Sequence, residues 1–143
     1  MECDKVKVYV CPVVGREKEI ARIKDIILRL GSEIVCSEKA DLDGFQECVD
    51  QADVVAILIC AETDNDAYRE VIEYAAKTGK RVVGIWLEDE AAPALPVILD
   101  RLGDGAILPT KENIEKAVIC GESIWQLPAG EQRPTQRTPR HKG

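Results

Sequence analysis

The sequence predicts an α/β protein built as a single-domain three-layer sandwich, with helices on both faces of a five-stranded parallel sheet. Short apolar runs alternate along the chain with amphipathic helical stretches, which is the pattern of strand–helix–strand units. The longest apolar run lies within residues 52–60 and does not alternate with polar residues, which indicates a strand buried on both faces of a parallel sheet. Right-handed crossovers then place helices on both sides of the sheet.

The first half of the chain is predicted to form two strands and two helices. Residues 7–11, with the sequence Lys-Val-Tyr-Val-Cys, are a short run rich in strand-forming residues. Residues 16–30 carry isoleucine and leucine at spacings of three and four, which predicts an amphipathic helix that ends at Gly31. Residues 33–36 are predicted to be the second strand and residues 43–51 a short helix.

The second half is predicted to form three strands and three helices. The helix after the buried run can be capped by Asp64, Asn65 or Asp66, and Gly79 follows its end. In chain order, the predicted elements are a strand at 52–60, a helix at 66–78, a strand at 81–87, a short helix within 93–102, a strand at 105–109 and a helix at 111–120.

The predicted domain covers residues 1–125 and is followed by a basic tail, residues 126–143. A length of 143 residues suits one domain of ordinary size. The tail is rich in proline and arginine without apolar periodicity, so we expect it to be disordered. Its charge is about +3, which leaves −10 on residues 1–125 out of a net −7. It is either a passive solvated segment or a docking segment for a protein partner.

Charge and hydropathy exclude several classes of partner. The chain has 19 basic and 26 acidic residues, and this acidic balance disfavours a nucleic-acid backbone or an anionic membrane as the main partner. No apolar run approaches the roughly 20 residues that span a bilayer. The first residues, Met1–Asp4, have neither the basic start nor the apolar core of a secretion signal, so we expect a cytoplasmic protein.

The six cysteines contain no C-x-x-C pair. Several of them end apolar runs, where a small thiol packs well, and without a secretion signal we expect reduced, structural cysteines. The one histidine, His141, is close to the last residue, so we expect no metal site and no cofactor. Cys11 and Cys60 both end strands, and a redox role is the alternative if either thiol is exposed and has a low pKa. The cysteines are Cys3, Cys11, Cys36, Cys48, Cys60 and Cys120.

The motifs of several large enzyme classes are absent. The sequence has no G-x-x-x-x-G-K-[ST] loop, no G-x-G-x-x-G after the first strand and no G-x-S-x-G elbow. These absences argue against a P-loop nucleoside triphosphatase, a dinucleotide-binding Rossmann domain and a serine hydrolase. The first strand ends at Cys11-Pro12, where a response-regulator receiver would need acidic residues, and Pro12–Gly15 does not supply a flavodoxin-type phosphate loop.

Carboxylates gather where the predicted strands end, and ligands of open parallel sheets bind outside the carboxyl ends of the strands. Glu70 and Glu73, three residues apart on the following helix, lie near one helix face. Carboxylates in this place can accept sugar hydroxyls or stabilise an oxocarbenium ion, and this chemistry needs no histidine, metal or serine. The alternative is that these carboxylates have no role in binding and are solvent-exposed helix residues or helix caps. The carboxylates at the strand ends are Asp41, Asp43, Glu62, Asp64 and Asp66.

The stretch ADVVAILIC…DNDAYREVIEYAAKTGKRVVGIWL resembles the central part of two related groups. These are the bacterial TIR-like (Toll/interleukin-1 receptor-like) domains and the nucleoside 2-deoxyribosyltransferase-like proteins. The shared order is a D-x-v-v strand, a polar loop, a glutamate-bearing helix, Gly79-Lys80 and a further strand, within a resemblance over residues 5–120. The resemblance implies a flavodoxin-like or TIR-like fold, a nucleoside, nucleotide or NAD as substrate, and self-association into a homo-oligomer.

In these families the catalytic residue is a glutamate of the helix after the third strand. By position it stands four residues before the alanine of the Y-A…G-K segment, and counting back from Ala75 arrives at Val71. Glu70 is one residue away and Glu73 two, and each residue turns a helix position by about 100°. The resemblance therefore implies Glu70, with Glu73 as second choice, as the catalytic carboxylate.

Two hypotheses of function follow. The first is an enzyme that cleaves the N-glycosidic bond of NAD or a nucleoside, as a hydrolase or a transferase. The second is a catalytically inactive module that binds a nucleotide signal or a protein partner in bacterial defence or signalling. In the first, aspartates hold the ribose hydroxyls, and the turn after the first strand borders the base or the phosphate, which Arg16 can pair with. The predicted binding residues are Pro12, Gly15, Arg16, Asp43, Cys60, Asp64 and Asp66.

Overall fold

The computed structural model describes residues 3–87 and 95–126. The acidic residues 88–90, predicted to follow the fourth strand, lie outside the described residues. So does the predicted tail from residue 127 onward.

Five strands and five helices alternate along the described residues. A 3₁₀ turn, Ala61–Thr63, lies between the third strand and the third helix. The fifth helix begins as one α-helical turn, Lys111–Asn113, and continues as a π-helix, Ile114–Ile119. The other elements are β1 Lys7–Val10, α1 Glu17–Arg29, β2 Glu33–Ile34, α2 Phe45–Gln51, β3 Val54–Ile59, α3 Asp66–Lys77, β4 Arg81–Trp86, α4 Val97–Leu102 and β5 Gly105–Ile107, and the fifth helix is α5.

All five strands are parallel, in the order β2-β1-β3-β4-β5, which confirms the predicted α/β sandwich. β3 pairs with β4 along six residues, from Val54–Arg81 to Ile59–Trp86. The chain leaves β1 toward β2 on one side and returns as β3 on the other. The carboxyl ends of β1 and β3 therefore flank the point where the strand order reverses, which is where open α/β sheets bind ligands.

The apolar core lies between the sheet and two layers of helices. Every residue of β3 is buried, as expected for a central parallel strand. α1 buries Ile20, Ile23 and Ile27 and contacts α5, whereas α3 contacts α2 and α4. These contacts separate the helices into two groups, one on each face of the sheet.

The helix ends follow the predicted signals. Asn65 is the cap of α3, because its side-chain oxygen accepts a hydrogen bond from the Tyr68 amide at 3.3 Å. Gly31 and Gly79, which follow α1 and α3, have φ angles of +91° and +81°. Glycine adopts this left-handed conformation without steric cost, so both helices end where the sequence predicts.

Three elements differ from the prediction. β2 has two paired residues instead of four, and the loop after β3 contains the unpredicted 3₁₀ turn. The last helix is mostly a π-helix, whose buried residues are Ile114, Ala117, Val118 and Ile119. Periodicity predicts that a helix is present but does not separate a π-helix from an α-helix over so few turns.

The expectation that all six cysteines are reduced is wrong for four of them. Cys3 pairs with Cys120, with their Cα atoms 5.2 Å apart, and Cys36 pairs with Cys48, with theirs 5.9 Å apart. The expectation of reduced cysteines rested on the missing secretion signal and on the absence of a C-x-x-C pair. These signals could not show that the fold brings residues 117 positions apart into contact. Cys11 and Cys60 are free and buried.

Gln126, the first residue of the predicted tail, is held by the domain. Its backbone amide donates to the Ala106 carbonyl at 2.7 Å, next to a parallel bridge between Ala106 and Trp125. Its side-chain oxygen accepts hydrogen bonds from the Leu108 amide and the Asn113 side chain, both at 3.0 Å. The segment before residue 127 thus extends the sheet beyond β5.

Candidate functional site

A cavity of about 450 Å³ opens between α3, α4 and the carboxyl end of β3. Apolar residues of β3 and α4 form part of its wall, among them Leu58 and Leu99. This volume is within the range of small-molecule sites, about 300–1,000 Å³. We call it the α3–α4 cavity; its polar lining residues are Thr63, Asp64, Asn65, Arg69, Glu73 and Arg101.

Opposite charges meet in the α3–α4 cavity. Asp64 and Glu73 contribute carboxylates, and Arg69 and Arg101 contribute guanidinium groups. One guanidinium nitrogen of Arg69 lies 2.8 Å from a carboxylate oxygen of Asp66, one helical turn earlier. Guanidinium groups bind phosphate and carboxylate oxygens in paired hydrogen bonds, and carboxylates accept hydrogen bonds from sugar hydroxyls. The cavity can therefore hold a ligand that carries both a phosphate and hydroxyl groups.

Thr63 fixes the loop that enters the cavity. Its buried hydroxyl lies 2.7 Å from the Leu58 carbonyl and 3.0 Å from the Cys60 carbonyl, either of which can take its proton. The same oxygen accepts a hydrogen bond from the Cys60 amide at 3.3 Å. Asn65 donates to the Glu62 carbonyl at 2.9 Å, which closes the turn on its other side. These bonds position Asp64 and Asn65 at the mouth of the cavity.

The turn after β1 is tied to the turn after β3. The Tyr68 hydroxyl donates to the Pro12 carbonyl at 2.6 Å. The Arg16 Nε atom lies 3.3 Å from a carboxylate oxygen of Glu62, and a second Arg16 nitrogen lies 3.9 Å from Glu19. Backbone hydrogen bonds at Glu62 and the nearby Arg16 guanidinium lower the pKa of the Glu62 carboxyl. Arg16, predicted to pair with a phosphate, is thus engaged by carboxylates of its own chain.

A second cavity, of about 210 Å³, lies between the start of α1 and the loop after β2. Pro12, Val13 and Ile20 contribute apolar surface, and Lys24 and Lys39 contribute ammonium groups. Lys24 donates a hydrogen bond to the Ser37 carbonyl at 2.9 Å, and partial burial lowers its pKa. We call this space the β1–α1 cavity.

The two free thiols do not meet the condition for a redox role. Cys11 is 0% exposed and Cys60 is 3% exposed. Burial raises the pKa of the Cys11 thiol to about 12, and burial also raises the pKa of Cys60. Both groups are therefore protonated thiols at neutral pH, and a thiol is a poor nucleophile compared with a thiolate.

The two predicted catalytic glutamates point to different surroundings. Glu73 lines the α3–α4 cavity. Glu70 is exposed and precedes Tyr74 by one turn; Tyr74 contacts α2, with its hydroxyl 2.8 Å from Asp50. Glu70 does not line this cavity, although only about 60° of helical rotation separates it from Glu73. Val71, where the resemblance places the catalytic glutamate, is 0% exposed and belongs to the core.

The predicted binding residues divide among several places. Asp64 lines the α3–α4 cavity and Pro12 lines the β1–α1 cavity, while Asp66 pairs with Arg69. Gly15 donates its amide to a Glu17 carboxylate oxygen at 3.1 Å, and Asp43 donates its amide to Asp41 at 3.0 Å. Cys60 is buried at the start of the 3₁₀ turn.

The sequence reasoning did not assign Asn65 and Arg69 to the site, although their spacing from Glu73, a predicted catalytic residue, was a signal. Asn65, Arg69 and Glu73 follow one another at spacings of four, which places them on one helix face. Arg101 had no such signal, because it belongs to α4 and joins the others only through the packing of α3 against α4.

Gly84 sets how closely α4 packs on the sheet beside the cavity. A Cβ atom at this position would overlap the Leu99 Cδ2 atom and lie 2.8 Å from Ile59 Cδ1. We expect Gly84→Ala to lower the free energy of unfolding by about 1–3 kcal/mol, because the core has no room for the methyl group. Urea unfolding measures this change. The double variant with Leu99→Ala should lose less than the sum of the single changes; strict additivity would contradict this packing argument.

Within the described parts of the chain, no group of three or more histidine, cysteine, aspartate or glutamate side chains is arranged to hold a metal ion. None of the helices described above has the length and apolar character needed to cross a membrane.

Comparison with known proteins identifies a structural relative of this fold. No protein-family model matches the sequence, and no curated protein matches it. The fold is similar to the solved structure of a CMP N-glycosidase, BcmB, from Clostridium botulinum, with a TM-score of 0.51. The match covers 78% of this chain and 96% of that chain, at 17% sequence identity. At this identity the similarity shows a shared fold.

Proposed function

We propose that this protein binds a nucleotide in the α3–α4 cavity and cleaves its N-glycosidic bond, with Glu73 as the reacting carboxylate. The observation that carries the proposal is the meeting of Glu73 and Asp64 with Arg69 and Arg101 in one cavity at the carboxyl edge of the sheet. The shared fold with a CMP N-glycosidase supports the reaction class. Ligands of such sheets bind at this edge, which supports the location.

The proposed reaction gives each side chain a separate task. Arg69 and Arg101 bind the phosphate, and Asp64 accepts a hydrogen bond from a sugar hydroxyl. As the bond between base and sugar breaks, the sugar takes on oxocarbenium character, which the Glu73 carboxylate stabilises. A water molecule then adds to the anomeric carbon. The departing base takes up the proton that this water loses. The products are the free base and a ribose phosphate.

The two arginines favour a nucleotide over a nucleoside as the ligand. A nucleoside carries no anionic group to pair with them, so it makes fewer charge-assisted hydrogen bonds than a nucleotide. The position of Glu73 in the cavity favours it over Glu70, the first choice of the sequence argument. Glu70 has another role in the test, as a matched control on the same helix.

Mass spectrometry of the purified protein with nucleoside monophosphates, NAD and nucleosides tests the proposal. We expect release of free base from a monophosphate. Glu73→Gln should lower this rate by about 100-fold or more, because it removes the negative charge that stabilises the transition state. Glu70→Gln should leave it within about twofold, since Glu70 is exposed and does not line the cavity. Circular dichroism checks that both variants fold. A Glu73→Gln protein with full activity would contradict the proposed role.

A second candidate function is nucleotide binding without cleavage. The observation that favours it is Val71, a core residue at the place where the related families carry their catalytic glutamate. A fold can persist without the chemistry of its relatives. In this case a monophosphate would raise the melting temperature and remain intact by mass spectrometry. A ligand at 100 times its Kd adds about 2.7 kcal/mol of stability, which such a measurement detects.

The narrower expectations from the sequence belong to the same proposal. They are a TIR-like role in bacterial defence or signalling, NAD as substrate, self-association, a cytoplasmic location and a protein partner for the tail. Including NAD in the substrate panel tests whether NAD is a substrate. Light scattering of the full chain and of a chain without residues 127–143 tests self-association and any contribution of the tail.

A further inference from the structure

The segment between β2 and α2 crosses the carboxyl edge of the sheet and is closed by a disulfide. We call residues 37–44 the crossing loop. Cys36 precedes the loop, and Cys48, in the second turn of α2, follows it. The two bonded residues are 12 positions apart in the sequence. The loop contains turns and no regular strand or helix. Because its two ends are joined, its position depends on the bond between Cys36 and Cys48.

The crossing loop covers two features of the carboxyl edge. Lys39 and Ala40 form one wall of the β1–α1 cavity, opposite the start of α1. Burial, Cys11, Tyr68 and, least of all, Asp41 of the loop raise the pKa of Tyr9. Tyr9 is 0% exposed, and its hydroxyl has no hydrogen-bond partner among the described residues. The loop therefore forms one wall of the β1–α1 cavity and carries a charge that acts on a buried hydroxyl.

The closed position of the loop contains two unfavourable features. A buried hydroxyl without a hydrogen-bond partner is destabilising, because it has lost its bonds to water. Cys36 has a φ angle of +54°, in the left-handed region that side-chain-bearing residues rarely adopt. Opening of the loop would relieve both. Besides the disulfide, the Lys24 ammonium holds the loop through the Ser37 carbonyl, and Leu42 packs against the core.

We propose that the Cys36–Cys48 disulfide is a thiol–disulfide switch, whose reduction releases the crossing loop and opens the β1–α1 cavity. The oxidised protein holds Lys39 and Ala40 against the cavity. In the reduced protein the loop moves away, the cavity widens toward solvent and water reaches the Tyr9 hydroxyl. The switch is independent of the proposed glycosidase activity, because its parts lie outside the α3–α4 cavity.

The reductant is a dithiol. One of its thiolates attacks the Cys36 sulfur, which belongs to a partly exposed residue, whereas Cys48 is only 2% exposed. The protein disulfide breaks, a mixed disulfide forms at Cys36, and Cys48 leaves as a thiolate that takes up a proton. The second thiol of the reductant then attacks the mixed disulfide and releases Cys36. The protein gains two electrons and two protons, and the dithiol becomes a disulfide.

Hydrogen exchange of the full chain, followed by mass spectrometry, tests the switch. We expect Cys36→Ser, kept oxidised so that the other disulfide remains, to speed exchange of the crossing-loop amides by about tenfold or more. Amides of β3 and β4 should keep their wild-type rates. Wild-type protein treated with dithiothreitol should show the same change in the loop, together with faster tryptic cleavage after Lys39. Cys120→Ser is the matched control, since it removes a disulfide elsewhere and should leave the loop rates unchanged.

Three results would overturn the proposal. The first is unchanged loop exchange in both Cys36→Ser and the reduced wild type. The second is equal loss of protection in the loop, β3 and β4, which would make this disulfide a staple of the whole fold. The third is a wild-type mass that shows Cys36 and Cys48 still free after treatment with a mild oxidant.

Discussion

Cys120→Ser is expected to lower the free energy of unfolding by about 3–4 kcal/mol in oxidised protein. The disulfide from Cys3 to Cys120 encloses almost the whole described domain, with 117 positions between its ends. Such a long cross-link removes many conformations from the unfolded chain, so losing it favours the unfolded state. Urea unfolding under non-reducing conditions measures the change, and mass spectrometry confirms that Cys36 and Cys48 remain paired.

Cys36→Ser is the control for this prediction. Its disulfide closes a segment of only 12 positions, for which the chain-entropy contribution is about 2 kcal/mol smaller than for the long cross-link. We therefore expect the loss of stability in Cys36→Ser to be clearly smaller. Equal losses in the two variants would show that loop length does not decide the effect, and would point to strain or local contacts.

Thr63→Val is expected to cost about 2–4 kcal/mol of stability, although valine has nearly the same shape as threonine. The substitution leaves the Cys60 amide and the Leu58 carbonyl without the hydroxyl that bonds them in a buried turn. Each buried polar group left without a partner costs about 1–3 kcal/mol. Thermal or urea unfolding measures the loss. Because Thr63 also positions Asp64 and Asn65, nucleotide binding in the α3–α4 cavity should weaken as well.

Thr78→Val, at the residue that follows α3, is the matched control. The Thr78 hydroxyl also bonds backbone carbonyls, those of Tyr74 at 2.9 Å and Ala75 at 3.2 Å, but Thr78 is exposed at the end of α3. Water can replace its hydrogen bonds, so we expect a change of less than about 0.5 kcal/mol. A Thr63→Val protein as stable as Thr78→Val would show that the 3₁₀ turn does not depend on the hydroxyl.

The position of the candidate site was predictable, but its residues were less so. The carboxyl edge of the sheet and the gathering of carboxylates both follow from the order of the elements. Glu70 and Glu73 are equivalent in the sequence, since both are helix carboxylates near the expected register. They differ in the structure, because Glu73 lines the α3–α4 cavity and Glu70 does not, although only about 60° of helical rotation separates them.

The arginines illustrate a second limit. Arg16 follows the first strand, so the sequence argument assigned it a phosphate, but in the structure Glu62 and Glu19 pair with it. Arg101 has no motif, and it lines the α3–α4 cavity only because α4 packs beside α3. Ion pairs and cavities join residues that are far apart in the chain, and no local pattern records those contacts.

The sequence by itself determined the class of fold, the order of the strands and helices, and several of their ends. These features depend on local physics: the apolar period of each segment, the cap at Asn65 and the left-handed glycines at positions 31 and 79. The unbroken apolar run of β3 also determined that the sheet is parallel and buried.

Only the tertiary structure decided which cysteines pair, where the cavities open and which glutamate faces one. The Cys3–Cys120 pair, the contact of Gly84 with Leu99 and the wall of the α3–α4 cavity all join residues from separate elements. Their distances depend on how helices settle on the twisted sheet, and that packing is the sum of many weak contacts along the whole chain. A local pattern records the secondary-structure propensity of each element, whereas the candidate site is a cavity between elements that are far apart in the sequence.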